Sequence, residues 1–203
     1  MAALLALALL AGLAPSPLPP RARRAPPRPD LSWAAADALG AKLAALDQRR
    51  KSGQGRAETI EVTEGEVNSY VNLEANVPPS VTDVTVHLDR DRVAATATVD
   101  LDQIPGRASA TTSLWNPFSL LGGKVPVSAS AKLMSQGDGF ASLLVEDVHV
   151  GSLPLPASVL AQLVATLTRG RDNPQGVDIL SAFRLPYSMR RVRLQPARAL
   201  LDF

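Results

Sequence analysis

Hydrophobic positions along this chain change period several times, and each change marks an element boundary. Between Asp30 and Arg50 apolar residues recur three and four apart (Leu31, Ala35, Leu39, Leu43, Leu46), which predicts an amphipathic helix. Its basic end, Arg49, Arg50 and Lys51, suits the negative pole of the helix dipole, and Ser52-Gly53-Gln54-Gly55 breaks it. Glu58–Val62 alternates, with Ile60 and Val62 on one face. Thr63 and Glu66 then stand at capping-box spacing, so a second helix is expected over Glu64–Leu73. That helix carries Val67, Tyr70, Val71 and Leu73 on one side, and Pro78 and Pro79 close the element.

Longer alternating runs follow. Val84, Val86 and Leu88 share a face of a strand over Val81–Leu88, and Val93, Ala95, Ala97, Val99 and Leu101 resume the alternation. The two apolar faces match only across an even number of connecting residues. With no glycine present, a four-residue loop over Asp89–Arg92 is expected rather than a two-residue primed turn. Val125, Val127, Ala129, Ala131 and Leu133 form the next strand; an odd loop centred on Gly137 returns the chain to Ala141, Leu143 and Val145. Parity then slips to Val148 and Val150, which predicts a β-bulge or bend near Glu146-Asp147. Long strands with bends imply strong sheet curvature.

Leu153-Pro154-Leu155-Pro156 leads into a helix over Ala157–Arg169, whose stripe is Val159, Leu160, Leu163, Val164 and Leu167. Such a stripe must lie on the sheet or on a lipid-like surface. Gly170–Gly176 reads as loop, Val177–Phe183 as a short helical turn, and Met189–Gln195 with Arg198–Asp202 as a closing hairpin across Pro196. Helices segregated from antiparallel hairpins define an α+β class.

The first residues carry an address of a different kind. Ala2–Ala14 lacks any charge or hydrogen-bonding side chain but is 13 residues long, short of the ~20 that a spanning helix needs. Residues 1–14 therefore match a signal-peptide core with Gly12-Leu13-Ala14 as cleavage box, and export, into the periplasm, is expected. An uncleaved interfacial anchor is the alternative. Residues 15–29, rich in proline and arginine, read as an extended solvated spacer, which leaves 30–203 as one domain.

Composition narrows the chemistry. The formal charge is +2, yet Arg21, Arg23, Arg24 and Arg28 precede the first acid, Asp30. Without those four, 17 basic residues face 19 acidic ones and the domain carries −2, which disfavours nucleic acid as a partner of the folded part. There is no cysteine, so disulfides, thiolate metal sites and a lipidated cysteine are excluded. Apolar residues make up 46% and aromatics 4%, so small aliphatics build the core, compatible with either a packed interior or a smooth apolar cavity.

His87 and His149 are the only histidines, and no G-x-S-x-G elbow, Walker loop, dinucleotide fingerprint or HExxH accompanies them. Asp147, two residues from His149 on the same face, is the one carboxylate placed to complete a two-histidine metal site. Asp100, Asp102, Glu146 and Asp147 would be the carboxylates for glycoside cleavage; solvated charges on an outer face are the plainer reading. No catalytic residue, metal or cofactor is expected.

Leu114–Gly123 joins two hairpins yet concentrates Leu114, Trp115, Phe118, Leu120 and Leu121 around a turn. A surface loop with those side chains must cover something: a bilayer, a ligand mouth, or the protein's own core. Arg184, Arg190, Arg191, Arg193 and Arg198 cluster near the C-terminus, and alternation puts Arg191 and Arg193 together where phospholipid phosphates would meet them. A plain solvated sheet face is the competing reading.

Three pieces occur in a telling order. Glu61-Val62-Thr63-Glu64-Gly65-Glu66-Val67-Asn68-Ser69-Tyr70 resembles the T-x-x-E-(I/L)-N-x-Y opening of small exported domains in the TULIP (tubular lipid-binding) superfamily. Val148–Val164 is similar to their strand–Gly–Pro–helix junction, and the basic C-terminal hairpin to their closing strands. The resemblance spans roughly Glu58 to Phe203 and implies a strongly curved antiparallel sheet wrapped around a long helix, with acyl chains held between them. It departs from larger members in its shortness, and from some envelope relatives in lacking their lipidated cysteine. On this basis the expected cavity is lined by Leu160, Leu163, Val164 and Leu167 on the helix and Val127, Ala129 and Leu143 on the sheet. The expected function is non-catalytic binding of a lipid or other apolar ligand, with peripheral membrane contact. The alternative is a structural or protein-binding envelope module with a filled core.

Overall fold

The computed structural model describes residues 28, 30–52, 57–75, 77–103, 123–158, 161, 165, 175–176, 178 and 180–203. Among these, helix α1 (Trp33–Ser52) is followed by strand β1 (Thr59–Thr63), helix α2 (Glu64–Leu73), the hairpin β2 (Val81–Asp89) and β3 (Arg92–Asp100), and a 3-10 turn (Leu101–Gln103). The hairpin β4 (Lys124–Gly137) and β5 (Phe140–Val150) comes next, then two-residue strands β6 (Leu153–Pro154) and β7 (Phe183–Arg184), a second 3-10 turn (Pro186–Ser188), and the hairpin β8 (Arg191–Gln195) and β9 (Arg198–Asp202). Every strand pair is antiparallel. A six-stranded sheet runs β2-β3-β4-β5, with β6 and β7 both on the outer edge of β5, and a three-stranded sheet runs β1-β9-β8. The class is α+β.

Both helices form where their patterns place them. In α1 the buried apolar positions are Ala36, Leu39, Leu43 and Leu46; Ala35, expected in the stripe, lies beside it because the helix phase set by Leu39 and Leu43 runs back to residue 36. The N-terminus of α2 is a capping box: Thr63 Oγ1 accepts from the Glu66 amide (3.2 Å) and Glu66 Oε2 accepts from the Thr63 amide (2.8 Å). Lys42 of α1 donates to Glu66 Oε1 (2.7 Å) and to the Glu61 carbonyl (2.7 Å), which fastens α1 to the start of α2.

Register follows parity with informative corrections. Val86 faces Ala95 and Leu88 faces Val93, so the connection is even, but it is a two-residue turn between the paired Asp89 and Arg92, not the four-residue loop expected. Asp91 supplies the left-handed conformation (φ 55°) that glycine would otherwise provide, which aspartate tolerates. Val177–Phe183 is expected as a helical turn; among its described residues Leu180 and Ser181 form a bend rather than a helix, and the chain enters β7 at Phe183, which pairs with Ala141. At the β4–β5 turn the odd loop expected around Gly137 is instead a two-residue turn: Gly137 pairs with Phe140, Asp138-Gly139, both with positive φ, reverse the chain, and a register shift between Ser135 and Gly137 restores the matching of faces. The parity slip after Val145 is a bulge: Ala131 faces Val145 and Ser130 faces Asp147, with Glu146 as the extra residue. A second bulge, at Asp83 (φ 54°), lets both Val81 and Val84 reach the core.

The inner faces of both sheets and the apolar sides of α1 and α2 form one continuous core. Its two sheets are joined through turns: the Ala197 amide donates to the Leu88 carbonyl (2.9 Å) and the Asp91 amide donates to the Leu194 carbonyl (3.4 Å). Ala157, Ser158, Ala161 and Ala165 are helical, and the remaining positions expected in that helix, Leu160, Leu163, Val164 and Leu167 among them, lie outside the described residues. So does the segment carrying Leu114, Trp115, Phe118, Leu120 and Leu121.

An unpredicted device finishes the edge of the large sheet. From α2, Asn68 accepts from the Val86 amide (2.6 Å) and donates to the Val86 carbonyl (2.9 Å). Asn72 does the same for Val84 (3.1 and 2.7 Å), and Glu64 accepts from the Leu88 amide (2.7 Å). Side chains four apart on a helix advance about 6 Å, while alternate strand residues advance about 6.7 Å, so three rungs stay in step. The helix thus completes β2 as a neighbouring strand would and closes an edge that would otherwise invite pairing with another chain.

Candidate functional site

The described core holds a void of about 60 Å³ at the seam between the two sheets. Leu43 and Leu46 of α1 wall one side, Val67 of α2 and Val62 of β1 another, and Val86, Leu88, Val93 and Leu133 of the large sheet form the floor. Val192, Leu194, Ala199 and Leu201 close it from the small sheet. A strap over residues 183–189 completes the wall with Phe183, Leu185, Pro186, Tyr187 and Met189. Carbon surface therefore encloses nearly all of it, a setting that rewards apolar occupants and stays dry.

The strap is an irregular piece of chain. Tyr187 and Ser188 both adopt left-handed backbone (φ 55° and 61°), a conformation costing roughly 1–2 kcal/mol per non-glycine residue. It is tied to the β4–β5 turn by the Leu185 amide, which donates to the Gly139 carbonyl (2.7 Å), and by the Gly139 amide, which donates to the Arg190 carbonyl (3.1 Å). Asp178 precedes it as a local turn-former, accepting from the Leu180 amide (3.0 Å) and the Ser181 hydroxyl (2.7 Å). These bonds hold its carboxyl below the usual carboxylate range.

Of the expected cavity residues, Val127, Ala129 and Leu143 are buried in the core, but they do not border this void. Alternation pointed them inward correctly; it could not say which stretch of the sheet interior is left unfilled. Arg193 does not stand open to an anion, because Asp202 takes it in two hydrogen bonds (Nε–Oδ2 3.0 Å, Nη2–Oδ1 2.9 Å). Those bonds hold the Asp202 carboxyl below its ordinary range. Arg191 makes no ion pair among the described residues. Arg198 donates to Glu61 (3.2 Å) and to Gln195 (2.9 Å).

The histidines meet on the outer face of the large sheet without forming a centre. Pairing across four strands sets His87, Ala94, Ser130 and Asp147 in one row and Thr85, Thr96, Ser128 and His149 in the next. Three strand spacings, about 14 Å, separate His87 from Asp147. His87 Nδ1 is 3.0 Å from Glu64 Oε2, and His149 Nδ1 is 3.8 Å from Asp147 Oδ1. No group of three metal-donating side chains occurs among the described residues. Ser128 lies across from His149, but no hydrogen bond joins them. The neighbouring amides belong to the sheet ladder, so none is aimed at a developing oxyanion.

Three features escaped sequence reasoning: the strap, the polar ladder of α2, and a set of exposed apolar residues on β4 and β5. Only the ladder left a readable trace, a Glu64, Asn68, Asn72 stripe at four-residue spacing. Among the described residues no helix is long and apolar enough to cross a membrane. Comparison with protein-family models, curated proteins and solved structures finds no match for this chain.

Proposed function

We propose that this chain is a non-catalytic binding module of the bacterial envelope that takes a lipid or other apolar ligand into its interior. The observation that carries this reading is the carbon-walled void beneath the 183–189 strap, with walls from both sheets and both helices. Affinity would come from removing acyl surface from water, about 0.8 kcal/mol per methylene. The apolar segment at residues 2–14 supports export. The arrangement implied by the TULIP resemblance, a curved sheet around a long helix with Leu160, Leu163, Val164 and Leu167 facing the ligand, belongs to the same proposal.

At about 60 Å³ the void is smaller than the ~150 Å³ cavity that admits benzene, so an acyl chain enters only if the strap swings aside. The same small volume favours a second reading, a scaffold whose interior is filled by its own side chains. Solvent extraction of the purified protein followed by mass spectrometry separates them. A co-purifying lipid, together with thermal stabilisation by added oleate that Ala199→Leu abolishes without unfolding the protein, supports the binder. A clean extract and no stabilisation by oleate support the scaffold.

A further inference from the structure

The outer face of the large sheet carries an apolar patch at its β4–β5 turn. Phe140, Met134 and Leu144 are 45%, 42% and 53% exposed, high values for large apolar side chains. Alternation places all three on the face opposite the buried Leu133, Ala141 and Leu143, and Met134 is paired with Ser142. The Ser142 hydroxyl, in the row between Phe140 and Leu144, is shut off from solvent and makes no hydrogen bond.

Basic residues border these side chains in the strand pairing and at the turn. Arg184 is the strand partner of Phe140, and Lys132 is the partner of Leu144. The Arg190 carbonyl accepts from Gly139 in the turn (3.1 Å), and Arg191 Nη2 lies 3.8 Å from where a side chain on Gly137 would begin. All four basic side chains are exposed, and none forms an ion pair among the described residues. The acid in the turn is Asp138. Asp202 is engaged by Arg193, and Glu146 by Arg92 (2.9 Å). Arg191 faces Asp202 across the β8–β9 pair, while Lys132, Arg184 and Arg190 face no acid in the strand pairing. An apolar tip bordered by four exposed cations has the chemistry of a surface that meets anionic lipid: cations attract headgroups, and Phe140, Met134 and Leu144 enter the boundary below them.

We infer that the β4–β5 turn, with Met134, Phe140 and Leu144 bordered by Lys132, Arg184, Arg190 and Arg191, is a docking surface for anionic membranes. The inference does not depend on the interior ligand: a protein with a filled core would dock equally well. Because the chain has no cysteine, a single one introduced by Met134→Cys or, as a control on the far edge of the sheet, Thr82→Cys reports its own position when labelled with a polarity-sensitive dye. The full chain is titrated with phosphatidylcholine vesicles, with and without phosphatidylglycerol.

The expected result is a blue shift at residue 134 with anionic vesicles only, none at residue 82, and loss of the shift in high salt. Arg184→Gln with Arg191→Gln, both at exposed positions, should weaken partitioning roughly 25-fold, about fivefold per charge, with unchanged thermal unfolding. Equal shifts at the two positions, no shift at residue 134, or binding indifferent to the arginine variants overturns the inference. Retention on heparin without any vesicle-dependent shift overturns it as well, in favour of a soluble polyanion.

Discussion

Replacing Asn68 by alanine isolates the contribution of the helix-to-strand ladder. The side chain supplies both partners of the Val86 backbone, the acceptor at 2.6 Å and the donor at 2.9 Å, and Val86 itself is 1% exposed. Removing it strands one N–H and one C=O. A fully buried orphan costs about 1–3 kcal/mol, but the site is only part-buried, so water reaches it and about 1 kcal/mol each is appropriate, with further loss of packing between α2 and β2. Alanine returns up to about 0.6 kcal/mol through helix propensity. The net expectation is a loss of about 2 kcal/mol, or about 4–8 °C in Tm for a domain of this size. Urea unfolding monitored by circular dichroism measures it, with the m-value unchanged. Asn68→Asp makes the reasoning sharper: it keeps an acceptor for the Val86 amide but turns a carboxylate towards the Val86 carbonyl. Its carboxyl should be held above the ordinary range in the folded state, so stability present at low pH is lost as pH rises through that value. A loss below about 0.5 kcal/mol for Asn68→Ala, within the range of an ordinary surface substitution, would refute the ladder as a stabilising device.

Two pH effects follow from the same fold. Burial, followed by the Glu74 carboxylate and Tyr187, raises the Tyr70 phenol above 10.0, so folding stability present below 10.0 should fall as pH climbs through the folded value. Spectrophotometric titration should show a late phenolate step that Tyr70→Phe removes. Asp202, held low chiefly by its hydrogen bonds from Arg193, contributes stability above 3.8 that is lost as pH falls through its depressed folded value. Asp202→Asn should flatten that acid limb at a cost under about 1 kcal/mol, as for a solvent-screened pair, and acid unfolding curves indistinguishable from wild type would contradict this.

Local periodicity and turn chemistry were enough for the α+β class, the capping box at Thr63 and Glu66, the inward face of every long strand, and the bulge at Glu146. Each depends on residues within a few positions of one another, and such information is present in any window of the chain. Tertiary structure alone decided the rest. Asp91 and Asp138 turn hairpins because paired strands on either side hold them left-handed, which no local pattern demanded. Asn68 and Asn72 looked like the polar side of a helix until a strand edge with matching rise lay against them. Arg193 looked available until Asp202, two strand-lengths away around a hairpin, claimed it. Val127 and Leu133 were equivalent inward-facing residues in the alternation, yet only Leu133 borders the void. The physical reason is common to all four: burial direction is a property of the segment, whereas filling, pairing and exposure depend on what a second segment, distant in sequence, brings into contact.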